Sequence, residues 1–314
     1  MHVIASQDLV VGLNERCGGE VTSIKYAGQE ILAAYDWASP ISARQCTTYG
    51  DSKLDWLSEY RGGWQLLVPN AGAACEVGGV PLPFHGEWSR TVADVNVMGV
   101  DRVVFSAGTR LPLVVEREVR IAPDPQRVLV TTLVKNTAQH SFDFIWGEHP
   151  AFAVGHGDAI DFPDAQVFSS RGEFLGHWPE CRQARKLDRV DTTEPTESVH
   201  FLIGFNQGWA ALRRGSYGVA LAWDIADFPY AWMWHEIASP DFPFYGRAAI
   251  VAIEPASSWP GDGLAAAVIS GQALRLEPNE YRSTVVALIP FIDNGDAVTH
   301  ASIDGLVTRE LHRS

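Results

Sequence analysis

The stretch Val115-Glu-Arg-Glu-Val-Arg-Ile121 is followed, after the turn Ala122-Pro-Asp-Pro125, by Val128-Leu-Val-Thr-Thr-Leu-Val134. In the first segment apolar and charged residues alternate, which is typical of a β-strand with one buried and one solvated face. The second segment is apolar on both faces and predicts a central strand that is covered on both sides. Proline and aspartate between them are typical of a turn. The sequence therefore predicts two successive strands here.

The same strand pattern recurs at Val219-Ala-Leu-Ala-Trp223, Ala248-Ala-Ile-Val-Ala-Ile253 and Thr284-Val-Val-Ala-Leu-Ile289. Helical periodicity is scarce and is limited to two short segments, Asp51–Glu59 and Asp296–Leu311. Many strands with few helices favour a large sandwich or barrel over a doubly wound sheet, in which strands alternate with helices. We therefore predict an all-β fold.

One domain is expected over residues 1–314, because strands continue throughout without a change in composition. The stretch Gly172–Ser198 is rich in charge and proline and has no clear periodicity. Strands resume on both sides of it, so we interpret it as a surface excursion and not as a linker.

The charge balance restricts the classes of partner. Acidic residues outnumber basic ones 38 to 24, which gives a formal net charge of −14. Such a surface repels nucleic acid and anionic membranes, and we expect neither as a partner. It does not oppose the binding of a neutral sugar.

Four widely spaced cysteines, at positions 17, 46, 75 and 181, include no Cys-x-x-Cys pair. Neither a zinc site nor a dense disulfide framework is expected from them. The N-terminal segment Met1–Asp8 lacks a basic start followed by an apolar run, and no stretch approaches the roughly 18 apolar residues of a membrane helix. We expect a cytoplasmic, reduced protein.

Several catalytic patterns are absent from the sequence. It contains neither a glycine-rich dinucleotide loop after a strand, nor a P-loop, nor the Gly-x-Ser-x-Gly elbow of serine hydrolases. His235-Glu236 begins like a zinc-protease motif, but Ser239 stands where the second histidine would be needed. We therefore expect no cofactor and no metal.

Two segments carry residues suited to proton transfer, Trp146-Gly-Glu-His-Pro-Ala-Phe152 and Ala252-Ile-Glu-Pro255. The imidazole of His149 can exchange a proton near neutral pH, and the carboxylate of Glu254 can accept one. A tryptophan nearby offers a flat apolar face, as in many sugar-binding clefts. The combination indicates acid–base chemistry on a carbohydrate.

A third segment, Leu82-Pro-Phe-His-Gly-Glu-Trp-Ser-Arg90, places His85 in a turn between extended stretches. In their order, His85, His149 and Glu254 resemble the motifs of the aldose 1-epimerase (galactose mutarotase-like) family. The resemblance covers most of residues 10–291 and includes four further segments: Gly18–Ser23, Gly62–Gly72, Phe228–Trp234 and Ser270–Glu280. It implies a large β-supersandwich of mainly antiparallel strands with a sugar cleft across one sheet.

The same resemblance implies an isomerase that interconverts the α and β anomers of a hexose. Glu254 would be the base at the anomeric hydroxyl, His149 the acid at the ring oxygen, and His85 a group that orients or polarises the same region. We also predict substrate-binding roles for five residues. They are Asn70, Arg90 and Glu148 as hydroxyl-binding groups, with Trp146 and Trp234 as stacking surfaces.

The sequence departs from the family in two places. No arginine stands beside Asn70 in the Pro-Asn loop, and the His-Gly turn continues into Glu87 and Trp88 before Arg90. Because a cation is missing and Glu87 and Glu148 add negative charge, we predict that neutral hexoses are preferred over hexose phosphates.

Two alternative functions remain open at this point. One is a sugar-binding or regulatory protein that keeps the cleft without efficient turnover, since fold alone does not fix function. The other is a glycosidase with Glu254 and Glu148 as its two carboxyl groups, which is weaker because such enzymes have no required place for histidine.

Overall fold

Two large antiparallel sheets form the body of the protein, in a computed structural model that describes residues 1–35, 48–181 and 187–310. The strands in the first half are β1 (His2–Ser6), β2 (Leu9–Asn14), β3 (Glu20–Tyr26), β4 (Gln29–Glu30), β5 (Trp64–Leu67), β6 (Cys75–Val77), β7 (Val80–Leu82), β8 (Asp94–Val97), β9 (Arg102–Gly108), β10 (Leu113–Pro123), β11 (Gln126–Asn136), β12 (Phe142–Phe144) and β13 (Gly147–Ala153).

The strands continue with β14 (Ala159–Asp161), β15 (Gln166–Ser169), β16 (Phe174–His177), β17 (Thr196–Ile203), β18 (Gly208–Arg213), β19 (Tyr217–Trp223), β20 (Tyr230–Ile237), β21 (Ala249–Ala256), β22 (Leu274–Leu276), β23 (Tyr281–Ile292), β24 (Val298–Ala301) and β25 (Val307–Arg309). The helices are α1 (Ser52–Glu59) and α2 (Leu264–Ser270), with 3₁₀ turns at Glu15–Cys17 and Trp88–Arg90.

The larger sheet has 11 strands in the order β1-β2-β3-β5-β13-β21-β20-β17-β15-β16, with β4 paired to β3. The smaller sheet has 8 strands in the order β14-β18-β19-β23-β11-β10-β9-β8. Three two-stranded sheets, β6 with β7, β12 with β22 and β24 with β25, lie outside them. The predicted all-β antiparallel fold is confirmed.

The two strands predicted from residues 115–134 form the hairpin β10–β11. Its register pairs Val115 with Val134 and Ile121 with Val128, and all four side chains are buried. Strand β11 also pairs with β23, so it is a central strand of the smaller sheet as predicted.

A buried ion pair joins the two sheets. The Nη1 atom of Arg117 on β10 donates to both carboxylate oxygens of Glu148 on β13, at 2.9 Å each. The same carboxylate accepts hydrogen bonds from the Thr132 hydroxyl at 3.0 Å and from the Trp64 indole at 2.7 Å. Both charged side chains are fully buried, so the carboxylate replaces its lost hydration with four hydrogen bonds from three residues.

The two predicted helical segments have different outcomes. Helix α1 is confirmed, and Asp51 caps it by accepting from the backbone N–H groups of Lys53 and Leu54 at 2.8 and 3.1 Å. The prediction for 296–311 is wrong within the residues that the structure describes. There β24 and β25 form a hairpin, because Val298 and Ala301 bury their side chains against the outer face of the smaller sheet.

The excursion predicted at 172–198 contains part of the larger sheet. Strand β16 pairs with β15, and β17 begins at Thr196. Residues 182–186 lie outside the described residues. In the described ranges no helix is long and apolar enough to cross a membrane.

We predict that Glu148→Ala destabilises the protein by about 3–5 kcal/mol, because it leaves the buried Arg117 without its counter-charge. Urea denaturation measures the change. The matched control is Glu118→Ala on β10, which removes a partly exposed ion pair with Arg102 and should cost less than about 1 kcal/mol. Equal losses of unfolding free energy in the two variants would contradict a structural role for the buried pair.

Candidate active site

Strand β13 places His149 on the outer face of the larger sheet, opposite Glu254 on the neighbouring strand β21. The antiparallel register pairs Ala151 with Ala252, and two residues along the strands it sets His149 across from Glu254. Opposed residues of antiparallel strands point to the same face, so the two side chains meet above the sheet.

His149 and Glu254 begin a row of outward-facing side chains, and this row continues across the sheet with aromatic residues. Trp232 on β20 pairs with Glu254, and Phe201 on β17 pairs with Trp232. Trp234 stands two residues farther along β20 and therefore shares this face. The sheet thus presents an acid, an imidazole and a run of aromatic rings on one rigid surface.

The His149–Glu254 pair is buried and only partly hydrogen-bonded. The Nε2 atom of His149 lies 3.5 Å from the Oε1 atom of Glu254, and each residue is 3% exposed. Among the described residues, neither the Nδ1 atom of His149 nor the Oε2 atom of Glu254 has a hydrogen-bond partner. A buried polar atom without a partner costs about 1–3 kcal/mol, so each one calls for an explanation, of which a catalytic role is one.

Burial shifts the pKa values of the two groups in opposite directions. It raises the pKa of the Glu254 carboxyl well above its usual 4.5, and it lowers the pKa of the His149 imidazole to about 4. Both shifts arise because a poorly solvated charge is unfavourable. Between these pKa values the pair holds one proton, which resides on Glu254 because its pKa is the higher of the two.

His85 reaches the same cleft from a tight turn. Its backbone has a positive φ of 59°, and its ring centroid lies 5.7 Å from that of His149. The Gly72 backbone N–H donates to its Nδ1 atom at 3.1 Å. Burial, with smaller effects from His149 and Lys53, lowers the pKa of His85 well below 6.5, so the ring is neutral and carries its proton on Nε2. His85 is therefore a hydrogen-bond donor.

Asn70 holds the turn that carries His85. Its Nδ2 atom donates to the carbonyl oxygens of Ala73 and Pro83, both at 2.9 Å, and its Oδ1 atom accepts from the Leu264 N–H at 2.7 Å. The side chain is fully buried and its amide is engaged on both sides. The predicted contact of Asn70 with substrate is wrong, because its hydrogen bonds are used to join the loops around the cleft.

The cleft above this row has a volume of about 240 Å³ and includes His85, His149 and Glu254 in its lining. Trp234, predicted as a stacking surface, lines it together with Trp232. Five more aromatic side chains line it, from α1, β17 and the neighbouring loops: Trp56, Phe84, Phe201, Phe242 and Phe244.

Two residues predicted from the neighbourhood of His149 do not face the cleft. Glu148 points to the opposite side of β13 and binds Arg117 between the sheets. Trp146 lies two residues before Glu148, on that same inner side, and packs against Phe144 in the core. The predictions that Glu148 binds hydroxyl groups and that Trp146 stacks on a sugar are therefore wrong, for the reason that adjacent strand residues alternate between faces.

Arg90 is also outside the cleft. Its guanidinium pairs with Glu59 at 3.3 Å, and its side chain is 40% exposed. Glu87, used above as a source of negative charge, accepts from the Arg110 backbone N–H at 2.8 Å and does not line the cleft. The predicted contact of Arg90 with substrate is wrong, because the 3₁₀ turn at Trp88–Arg90 directs it toward α1.

Sequence reasoning missed the contribution of α1. The ring centroid of Trp56 lies 4.7 Å from that of His85 and 5.6 Å from that of His149. Tyr60, directly after the helix, lies 5.8 Å from His149. Their spacing of four residues in a predicted helix was the available signal, since it puts both rings on one helix face.

The assembled groups suit proton transfer on a ligand with an apolar face. A one-proton acid–base pair, a fixed N–H donor and several rings meet on a rigid sheet, which favours a pre-organised reaction geometry. No group of three or more His, Cys, Asp or Glu side chains is placed to hold a metal within residues 1–35, 48–181 and 187–310.

No protein-family profile matches the sequence, and no curated protein sequence matches it. Solved structures do resemble it. A protein of Synechocystis sp. PCC 6803 is 16% identical with a TM-score of 0.70, and the match covers 93% of this chain and 96% of that one.

Two further solved structures are described as mutarotase-related proteins. A galactose mutarotase related enzyme from Lactobacillus acidophilus is 13% identical with a TM-score of 0.65, over 92% of this chain and 97% of that one. A galactose mutarotase-like protein from Lactobacillus casei is 18% identical with a TM-score of 0.61, over 93% of this chain and 100% of that one. Sequence identities this low show the fold and do not show the activity. The resemblance drawn from the sequence is confirmed at that level: this chain has the galactose mutarotase-like fold.

Proposed function

We propose that this protein is an aldose 1-epimerase, an isomerase that interconverts the α and β anomers of a neutral hexose. The observation that carries the proposal is the convergence of His85, His149 and Glu254, from three distant parts of the chain, on one buried cleft. The fold supports it, and so does the aromatic wall, because pyranose rings stack on indole and phenyl faces.

In the proposed reaction, Glu254 removes the proton from the O1 hydroxyl while His149 delivers one to the ring oxygen O5. The C1–O5 bond breaks, the aldehyde rotates about C1–C2, and closure from the other face returns both protons. Each positioned group contributes roughly 10²–10⁴-fold to such a step.

The starting protonation state follows from binding. The raised pKa of Glu254 and the lowered pKa of His149 place the shared proton on Glu254. Sugar hydroxyls that donate to this carboxylate favour its charged form, and the proton then passes across the 3.5 Å contact to His149. His85, through its Nε2–H, donates to an oxygen of the same region.

The structure bears on one of the two alternative functions and leaves the other open. A glycosidase with Glu254 and Glu148 is contradicted, because the two carboxyl groups lie on opposite faces of the sheet. A binding protein without turnover differs from the proposal only in rate, and the variants below separate the two.

The charges at the cleft support a neutral ligand. Among the described residues that line its mouth, one is a cation, Lys53, and two are carboxylates, Glu197 and Asp262. Of the two reasons given above for preferring neutral sugars, the negative charge of Glu87 and Glu148 does not hold, because neither lines the cleft. A phosphate would still meet more negative than positive groups among the described lining residues.

We predict that Glu254→Gln retains sugar binding and lowers anomer exchange by roughly 10²-fold or more, since an amide keeps the shape but cannot accept the proton. His149→Asn should act on turnover in the same way. Exchange NMR at anomeric equilibrium measures the rates without a coupling enzyme.

The matched controls are Glu236→Gln and His235→Asn, which change a buried glutamate and a buried histidine of β20 outside the cleft lining. Both should exchange anomers within about twofold of the unaltered protein. Unchanged exchange in Glu254→Gln and His149→Asn would refute the mechanism and favour a binding protein.

We predict that the exchange rate is level from about pH 5 up to the raised pKa of Glu254, because the pair holds one proton over this range. Below about pH 4 the rate should fall as His149 keeps a second proton. At high pH it should fall as the pair loses its only proton, and this alkaline loss should be absent in Glu254→Gln. An alkaline loss that persists in Glu254→Gln would contradict the shared proton.

A further inference from the structure

We infer that Gln65 is a positioning residue of the site: through a buried water shared with Tyr60, its side-chain oxygen holds the Nδ1–H group of His149. The inference rests on the proposed function, because it gives Gln65 a part in the proton transfer described above. It adds a residue that lies outside the described lining of the cleft and acts through the imidazole.

Gln65 is the neighbour of His149 on the side opposite Glu254. The antiparallel register of β5 and β13 pairs Gln65 directly with His149. Strand β13 lies between β5 and β21, so Gln65, His149 and Glu254 form one row with the imidazole in the middle. Directly opposed side chains of antiparallel strands share a face, with Cβ atoms about 4.5–5.5 Å apart. Both side chains are buried.

The amide nitrogen of Gln65 is engaged, and this fixes which of its atoms can serve His149. The Nε2 atom donates to the Gly62 carbonyl oxygen at 2.6 Å and to the Oε1 atom of Glu20. Both partners are acceptors, so the amide cannot be turned over. Glu20 belongs to β3, which lies on the far side of β5 from β13. The Oε1 atom of Gln65 is therefore left as an acceptor on the side away from Glu20.

Three buried polar atoms near this row have no hydrogen-bond partner within the part of the chain that the structure describes: Oε1 of Gln65, Nδ1 of His149 and the hydroxyl of Tyr60. A contact of His149 with its own backbone partly offsets the lowering of its pKa by burial, but it does not give Nδ1 a hydrogen bond. The three atoms are an acceptor, a nitrogen that can donate and a hydroxyl, and their chemistry is complementary. Buried water commonly bridges such groups.

A small cavity provides room for this water. Its volume is about 30 Å³, and Tyr60 and Gln65 line it together with Trp56. A water molecule needs at least about 10–15 Å³ and two to four polar partners. The Tyr60 ring also packs against the imidazole of His149, with 5.8 Å between the ring centroids. One water here accepts from Nδ1–H and from the Tyr60 hydroxyl and donates to Oε1 of Gln65, which satisfies all three atoms.

The bridge selects the tautomer that the reaction needs. An acceptor at Nδ1 places the ring proton there and leaves Nε2, which lies 3.5 Å from Glu254, with the lone pair that receives the proton. When His149 becomes an imidazolium, the same acceptor stabilises its charge, since hydrogen bonds to charged groups are the stronger ones. Without the bridge the neutral ring can hold its proton on Nε2, where it cannot accept one from Glu254.

The test compares two variants that both lose the donor bonds of Gln65. Gln65→Met has no oxygen, whereas Gln65→Glu keeps an acceptor beside His149. Nitrogen NMR of the labelled imidazole, without sugar and above the lowered pKa of His149, reports the tautomer. We expect Nδ1–H in the unaltered protein and in Gln65→Glu, and a shift toward Nε2–H in Gln65→Met. A His149 that keeps its Nδ1–H form in Gln65→Met would overturn the inference.

Anomer exchange gives the matching kinetic result. In Gln65→Met we expect kcat to fall roughly tenfold or more and KM to stay within about twofold, because the change acts on the imidazole and not on the cleft lining. In Gln65→Glu the fall in kcat should be smaller. Equal losses of kcat in the two variants would indicate a structural role for Gln65 and overturn the inference.

Tyr60→Phe tests the water separately, since it removes the hydroxyl and keeps the ring. With the bridge in place, the variant loses a hydrogen bond and should unfold at a lower urea concentration, with part of the same tautomer shift. Without the bridge, it removes a buried hydroxyl that has no partner among the described residues, and its stability should be unchanged or higher. Unchanged or higher stability of Tyr60→Phe would therefore contradict the bridging water.

Failure of the inference and failure of the proposed function give different results, because the tautomer is measured without a sugar. An unchanged tautomer in Gln65→Met, in a protein that exchanges anomers, overturns the inference alone. The expected tautomers in a protein that exchanges no sugar overturn the proposed function and keep the role of Gln65 in orienting the ring. Absence of both overturns both.

Discussion

The alternation of side chains along β13 is the constraint on which both the core and the candidate site depend. Glu148 points inward and is fixed by Arg117 of the opposite sheet, while His149 points outward and meets Glu254. Because the two residues are neighbours on one strand, the contact that joins the sheets also fixes the orientation of the imidazole. A rigid sheet on both sides of His149 lets a buried and incompletely hydrogen-bonded pair persist.

Much of the fold could be predicted from local patterns, since strand alternation and turn residues are short-range features. The hairpin β10–β11 and the capped helix α1 were recognisable in this way. The tail at 296–311 was not, because its hairpin exists only through Val298 and Ala301 packing on the smaller sheet. A segment whose structure depends on tertiary contacts has little signal of its own.

Those residues of the candidate site that belong to an ordered set of motifs could be predicted from the sequence. Residues chosen only because they are close to His149 in sequence could not. His85, His149 and Glu254 do share one cleft. Glu148 and Trp146 were chosen because they flank His149, yet odd and even positions of a strand face opposite ways. Asn70 and Arg90 carry suitable groups, but other parts of the chain occupy those groups, which only three-dimensional contacts reveal.

The central claim is that His149 and Glu254 share a single proton in a buried cleft, and NMR of the isotope-labelled imidazole and carboxyl groups tests it directly. At a pH above the lowered pKa of His149 and below the raised pKa of Glu254, the nitrogen shifts of His149 should be those of a neutral ring, and the carboxyl shift of Glu254 should be that of the protonated acid. Both signals should move together when a neutral hexose binds. A charged His149 at that pH, or a Glu254 that titrates near 4.5, would contradict the account.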